Sequence, residues 1–242
     1  MSIERHTLSV GGLEVAVERK AIKNLHLGVY PPHGRVRVAA PLAVNDNAVR
    51  LAVIDKLGWI KRQQARFDRQ PRQSAREWVS GESHYVFGRR HRLRVVPHDA
   101  APEVILRSQS RLELRIRPEA TAARKERALQ TWYREQLKAR IPALLEKWQP
   151  ILGVSAAAWG VKRMKTRWGS CTTEARRIWL NLELAKKPPG CLEYILVHEL
   201  VHLIERHHND RFVALMTRHL PHWQHLRREL NAAPLANETW SY

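Results

Sequence analysis

The sequence predicts an α+β protein, with strands concentrated in the first half and helices in the second. Three observations carry that expectation. Residues 8–116 hold repeated short runs in which apolar and polar side chains alternate, the period of half-buried strands. Residues 122–148 carry apolar side chains at helical spacing. Residues 191–204 form a nearly unbroken apolar segment that encloses histidine and glutamate. A β-rich N-terminal domain with one helix is therefore expected over residues 1–120, and a second domain over 121–242.

The elements follow in order. Leu8, Val10, Leu13, Val15 and Val17 alternate across Gly11-Gly12, a hairpin signature. Leu25 to Tyr30 and Arg35 to Ala39 form a second pair, joined by the turn Pro31-Pro32-His33-Gly34. Asn45-Asp46-Asn47 caps a helix carrying Val49, Leu51, Ile54, Leu57 and Trp59. The charged, Gln-rich stretch from Arg62 to Arg76 reads as helix end and linker. Strands are expected at Tyr85 to Val96 and Val104 to Ile116. A long helix from Ala122 to Trp148 presents Leu129, Trp132, Tyr133, Leu137, Ile141, Leu144 and Leu145. Trp159 to Thr166 and Ile178 to Leu184 read as strands around a loop from Arg167 to Arg177. No internal repeat is visible in the sequence.

With 242 residues, 44% of them hydrophobic, the chain can bury a real core. Its formal net charge is +19, from 42 Lys+Arg against 23 Asp+Glu. That excess favours nucleic acid, a nucleotide or an acidic protein surface as partner, against the plainer reading of solvated outer faces. Cys171 and Cys191 make no disulfide framework and lack CxxC spacing, which fits a reducing compartment. The first residues lack the apolar core of a signal peptide, and no stretch is long and apolar enough to span a membrane. A cytoplasmic protein without membrane partners is expected.

The chemistry concentrates at His198-Glu199-Leu200-Val201-His202, an HExxH pattern within the apolar segment. Pro188-Pro189-Gly190 suits a helix start just before it. Residues four apart share a helix face, so His198 and His202 can hold one metal ion. Glu199 lies about 100° round the helix from His198 and flanks the metal, the place of a general base. Unpartnered polar groups in a buried helix are costly, and a metal would satisfy all three. A catalytic zinc needs a third protein ligand. Glu205, His207 and His208 are the candidates. Asn209-Asp210 looks like the cap of a following helix through Met216, so the first helix should end near Arg206. A histidine in the intervening turn can fold back, and spacing alone does not choose between His207 and His208.

Several runs together resemble one family. They are Met164-Lys165-Thr166-Arg167-Trp168-Gly169-Ser170-Cys171, Leu180-Asn181-Leu182, His198-Glu199-Leu200-Val201-His202-Leu203, His208-Asn209-Asp210-Arg211-Phe212 and His219-Leu220-Pro221. Trp59-Ile60, Val79-Ser80-Gly81-Glu82, Tyr85 and Gly88-Arg89-Arg90 add to the likeness. The chain resembles the YgjP-like family of zincin metallopeptidases, relatives of SprT-like and WLM-type proteins. The resemblance implies a zincin-like catalytic domain: a small mixed sheet over the active-site helix, a backing helix, and substrate along an edge strand. It implies His208 as the third ligand, with His207 standing where the family often has Asn. It also brings Arg167 and Asn181 near the cleft, as candidate transition-state donors. Their plainer roles are a surface ion pair for Arg167 and a turn brace for Asn181, the latter favoured. Trp168 is expected to pack.

The expected activity is that of a zinc hydrolase, most readily a metallopeptidase. Zinc held by His198, His202 and His208 would lower the pKa of its water to about 7, with Glu199 taking the proton and passing it to the leaving group. Two other readings are open. A metal-dependent nucleoside triphosphate pyrophosphatase would use the abundant arginine on phosphate. A DNA-associated protease or binding module would use the basic surface.

Overall fold

The computed structural model describes residues 4–30, 34–69, 76–164 and 167–232. The chain divides into two compact units between residues 75 and 76, and not near residue 120. The reason is packing. Leu93, Leu112, Leu114 and Ile116, expected in an N-terminal domain, share one core with the long helix and everything after it. The turn at Pro31-Pro32-His33, linker residues 70–75, and Lys165 and Thr166 lie outside the described residues.

The first unit contains β1 (Glu4–Val10), β2 (Leu13–Lys20), β3 (His26–Tyr30), β4 (Arg35–Pro41), α1 (Asp46–Asp55) and α2 (Leu57–Arg69). Gly11 and Gly12 both take positive φ, at 57° and 78°, as a two-residue primed turn requires. The sheet runs β1-β2-β4-β3, with its central pair parallel and both outer pairs antiparallel. Leu8, Val10, Val15, Val17, Val36 and Val38 pack with Val49, Val53 and Ile60. The single helix expected after Asn45 is broken at Lys56, and its second part runs through residues expected as linker. Val49 and Val53, one turn apart, form the buried face. Leu51 and Ile54 therefore point outward, 67% and 51% exposed.

The second unit opens with β5 (Ser83–Val86), β6 (Arg89–Pro97), β7 (Glu103–Ser108) and β8 (Arg111–Ile116). The stretch expected as one strand from Tyr85 to Val96 is a hairpin that turns at Phe87-Gly88, both at positive φ. Its sheet runs β5-β6-β8-β7, again with a parallel central pair and antiparallel outer pairs. The two four-stranded sheets thus share one topology without a visible sequence repeat. A helix α3 (Ala122–Leu152) follows, capped by Thr121 and ended by Gly153 in the left-handed region. Its buried stripe is Leu129, Tyr133, Leu137, Ile141, Leu145, Trp148 and Leu152.

Next comes a small mixed sheet of β9 (Ala158–Lys162), β10 (Gly169–Thr172) and β11 (Arg177–Asn181), in the order β10-β11-β9. The region expected as a loop from Arg167 to Arg177 therefore contains a strand, β10, at the sheet edge. The expected strand from Ile178 to Leu184 ends at Asn181, where a 3-10 turn over Leu182–Lys186 begins. Then come α4 (Pro189–Val201), α5 (Asp210–His219) and α6 (Trp223–Ala232). The HExxH segment lies on α4, which packs against β10, β11, α3, α5 and α6. No described helix is long and apolar enough to cross a membrane.

Candidate metal centre

Pro188 and Pro189 open α4, a conformation prolines favour at a helix start. Its side chains from Cys191 to Val201 are almost all buried, Glu199 among them at 4% exposure. The helix stops earlier than expected. His202 is its C-cap, and tight turns carry the chain through Ile204. The Glu205 carbonyl accepts from His202 Nδ1 at 3.1 Å. That bond orients the ring and leaves Nε2 as the nitrogen that could ligate a metal. The Glu205 carboxylate accepts from the His207 backbone N–H at 3.1 Å. Asn209 then caps α5, accepting from the Phe212 N–H at 3.0 Å. These local bonds fold the loop back onto α4.

The result is a cluster of His198, His202 and His208 whose ligand atoms lie within 4.8 Å of one another. His198 Nε2 and His208 Nε2 are 3.0 Å apart. Two nitrogens on a tetrahedral zinc at 2.0–2.1 Å would lie about 3.3 Å apart. His208 is in the cluster and His207 is outside it. Burial, reinforced by His202 and His208, pushes His198 down to about 3, and burial likewise lowers His202. Neutral imidazoles with converging lone pairs are the form a divalent metal needs. The donor set fits such a metal.

Beside the histidines, burial pushes Glu199 up to about 8, against the pull of the Arg167 charge. Arg167, exposed, is thus within electrostatic reach of the Glu199 carboxyl. Asn181 is not a substrate group. Its amide donates to the carbonyls of Met164 and Arg167, at 2.8 and 2.7 Å. Its oxygen accepts from the N–H groups of Met164 and Glu183. With both amide hydrogens used and the side chain buried, Asn181 holds the Arg167 loop and cannot donate to a developing oxyanion. Trp168 packs half-buried against the core, with Lys187 Nζ 5.5 Å from its ring centre.

Residues 23–233 match the family described as YgjP-like, metallopeptidase domain. The chain belongs to that family. Among solved structures it is similar to the metallopeptidase zymogen abylysin of Pyrococcus abyssi, at 21% identity and a TM-score of 0.35. That likeness covers 37% of this chain and 90% of abylysin. The zymogen jannalysin of Methanocaldococcus jannaschii is similar at 18% identity and a TM-score of 0.34, over 37% of this chain and 92% of its own. No curated protein matches.

Two residues of this YgjP-like metallopeptidase escaped sequence reasoning about the site. Phe212, buried, sets its ring 4.9, 4.8 and 4.7 Å from those of His198, His202 and His208. It holds all three imidazoles from one side. Gly169, the first residue of β10, faces Glu199, and a Cβ there would stand 2.4 Å from Oε1 and 2.8 Å from Cγ. A glycine inside a strand pattern would signal such a close approach, but the sequence around Gly169 reads as a loop and gives no such pattern. No sequence pattern marks Phe212, an ordinary apolar residue of an amphipathic helix.

Proposed function

We propose that this metallopeptidase is a zinc-dependent, zincin-like peptidase, with His198, His202 and His208 as metal ligands and Glu199 as general base. The convergence of three imidazoles beside one buried carboxylate carries the reading. Zinc supplies, when bound, a Lewis acid and an activated water. The rest falls to the chain. The Glu205 carbonyl and Phe212 hold the imidazoles in ligating orientation. Glu199 ionises more readily beside a cation than in the buried site alone, accepts a proton at its carboxylate and returns it to the leaving amine. Arg167, anchored through its carbonyl by Asn181, offers positive charge to the oxyanion that develops at the scissile carbonyl. The edge position of β10 supports an extended peptide substrate, which can add there as a further strand.

Metal content and casein cleavage test this together. His208→Ala should lose the metal by elemental analysis, and His207→Ala should keep it. Glu199→Gln should keep the metal and lose about 10²- to 10⁴-fold in cleavage rate. Cleavage by Glu199→Gln at the parent rate would overturn the assignment of the base. Phosphate release from nucleoside triphosphates without peptide cleavage would replace the peptidase by a phosphoanhydride hydrolase.

A further inference from the structure

The β5–β8 sheet has one face in the core and one open. His91 and Leu93 on β6, and Leu112, Leu114 and Ile116 on β8, point into the core. Alternation then sends Arg90, Arg92 and Arg94 of β6 and Arg111, Glu113 and Arg115 of β8 to the opposite face. These are the two central strands of the sheet. Ser83–Pro97 contains four arginines and no acidic residue.

The open face is not uniformly neutralised. Glu113 receives Arg115 at 2.8 Å and Arg107 at 3.2 Å, and Glu103 receives Arg115 at 3.3 Å. Arg90, Arg92, Arg94 and Arg111 are exposed, and no side-chain hydrogen bond or ion pair engages them among the described residues. Arg92 lies directly opposite Arg111 in the register. Like charges in that position destabilise a sheet. The first unit shows the alternative: on the same topology, Arg5, Lys20 and Arg37 converge on buried Glu18.

We propose that the open face of the β5–β8 sheet binds single-stranded nucleic acid. Arg90, Arg92 and Arg94 form a row at about 6.6–6.8 Å spacing along one extended strand, widened sideways by Arg111. A linear polyanion with evenly spaced charges complements such a row, and guanidinium groups pair with phosphate through two parallel bonds. Half-buried Tyr85, directly opposite Arg90, offers an aromatic ring next to the row for a base to stack on. An extended single strand can follow a sheet face, whereas a duplex is ordinarily entered through its groove by a helix or ribbon. The same row is poorly suited to an anionic membrane, since along β6 no apolar side chain on that face separates Arg90, Arg92 and Arg94. The inference is independent of the metal centre.

Fluorescence anisotropy on the full chain tests it, with a labelled single strand of about 15 nucleotides. Binding should weaken between about 50 and 200 mM salt, with a log–log slope near about −3 for four phosphate contacts. The triple variant Arg92→Gln, Arg94→Gln, Arg111→Gln should lose at least about tenfold in affinity and flatten the slope by about 2. A charge-matched control, Arg124→Gln, Arg127→Gln, Arg228→Gln, should bind within about twofold of the parent. Circular dichroism and casein cleavage check the fold of both. If the triple variant fails to fold, the same three positions changed to Lys should bind more weakly than the parent while keeping its salt slope. Equal losses in both triple variants, or parent-like binding by the sheet variant, would overturn the proposal. So would an absence of strand binding at low salt, with phosphatidylserine vesicles or polyglutamate bound instead.

Discussion

At Gly169 the lack of a side chain decides how close Glu199 can come to β10. The carboxylate occupies the space a Cβ would fill, and the group is buried, so it has little room to retreat. Gly169→Ala should therefore lower kcat about tenfold or more, with KM and bound metal close to the parent's. That split separates misplacement of a base from loss of the site. A variant with unchanged kcat would remove Gly169 from the catalytic apparatus. The contrast between Arg167 and Asn181 belongs to the same scale. Both were legible as residues near the cleft, but hydrogen bonding distinguishes them. Asn181 spends its donors on two loop carbonyls, while the charge of Arg167 reaches Glu199. Residue type and position in a chain do not reveal where an amide's hydrogens go.

Among the elements, the short connection between α4 and α5 matters most to the metal centre. It reverses within a few residues because His202 bonds to the Glu205 carbonyl, Glu205 takes the His207 N–H, and Asn209 caps α5. Asn209→Ala should cost about 1 kcal/mol of stability, the usual worth of such a cap. It should also weaken metal binding in a competition titration, because the cap secures both His208 and Phe212. Unchanged metal affinity would show that the loop holds without its cap. The cap itself was legible, since asparagine before an amphipathic run has a specific physical role. The early end of α4 was not, because the apolar pattern runs on through Leu203 and Ile204 while the backbone turns. β10 was hidden for a related reason. Its four residues, Gly169–Thr172, carry no alternation of their own and become a strand only by pairing with β11.

For the whole molecule, buried charge sets how stability responds to acid. His84, 3% exposed, sits 3.2 Å from Glu82, and burial, aided by Arg76, lowers it to about 4. Its folded pKa lies below the unfolded value of about 6.5, so between these limits the unfolded chain binds more protons. Stability from this group is complete above about 6.5 and falls as the pH drops toward about 4. His84→Gln should shrink the drop in melting temperature between pH 7 and pH 5, both values taken inside or just above that window. An identical drop in parent and variant would show that His84 does not govern it.

The sequence by itself determined the α+β class, the strands on either side of Gly11-Gly12, the long helix, the HExxH pattern and the family. Each of these depends on spacing along the chain, where helical and strand periods, caps and turns have local physical causes. Tertiary structure alone decided the boundary at residues 75 and 76, because a domain is defined by which apolar faces share a core. It brought His208, and not His207, beside His198 and His202, set Phe212 against them and Gly169 against Glu199, and placed on one sheet face four arginines that have no partner among the described residues. Those outcomes depend on which distant segments meet. Register and burial fix such meetings, and neither is written in the order of residues over any short window.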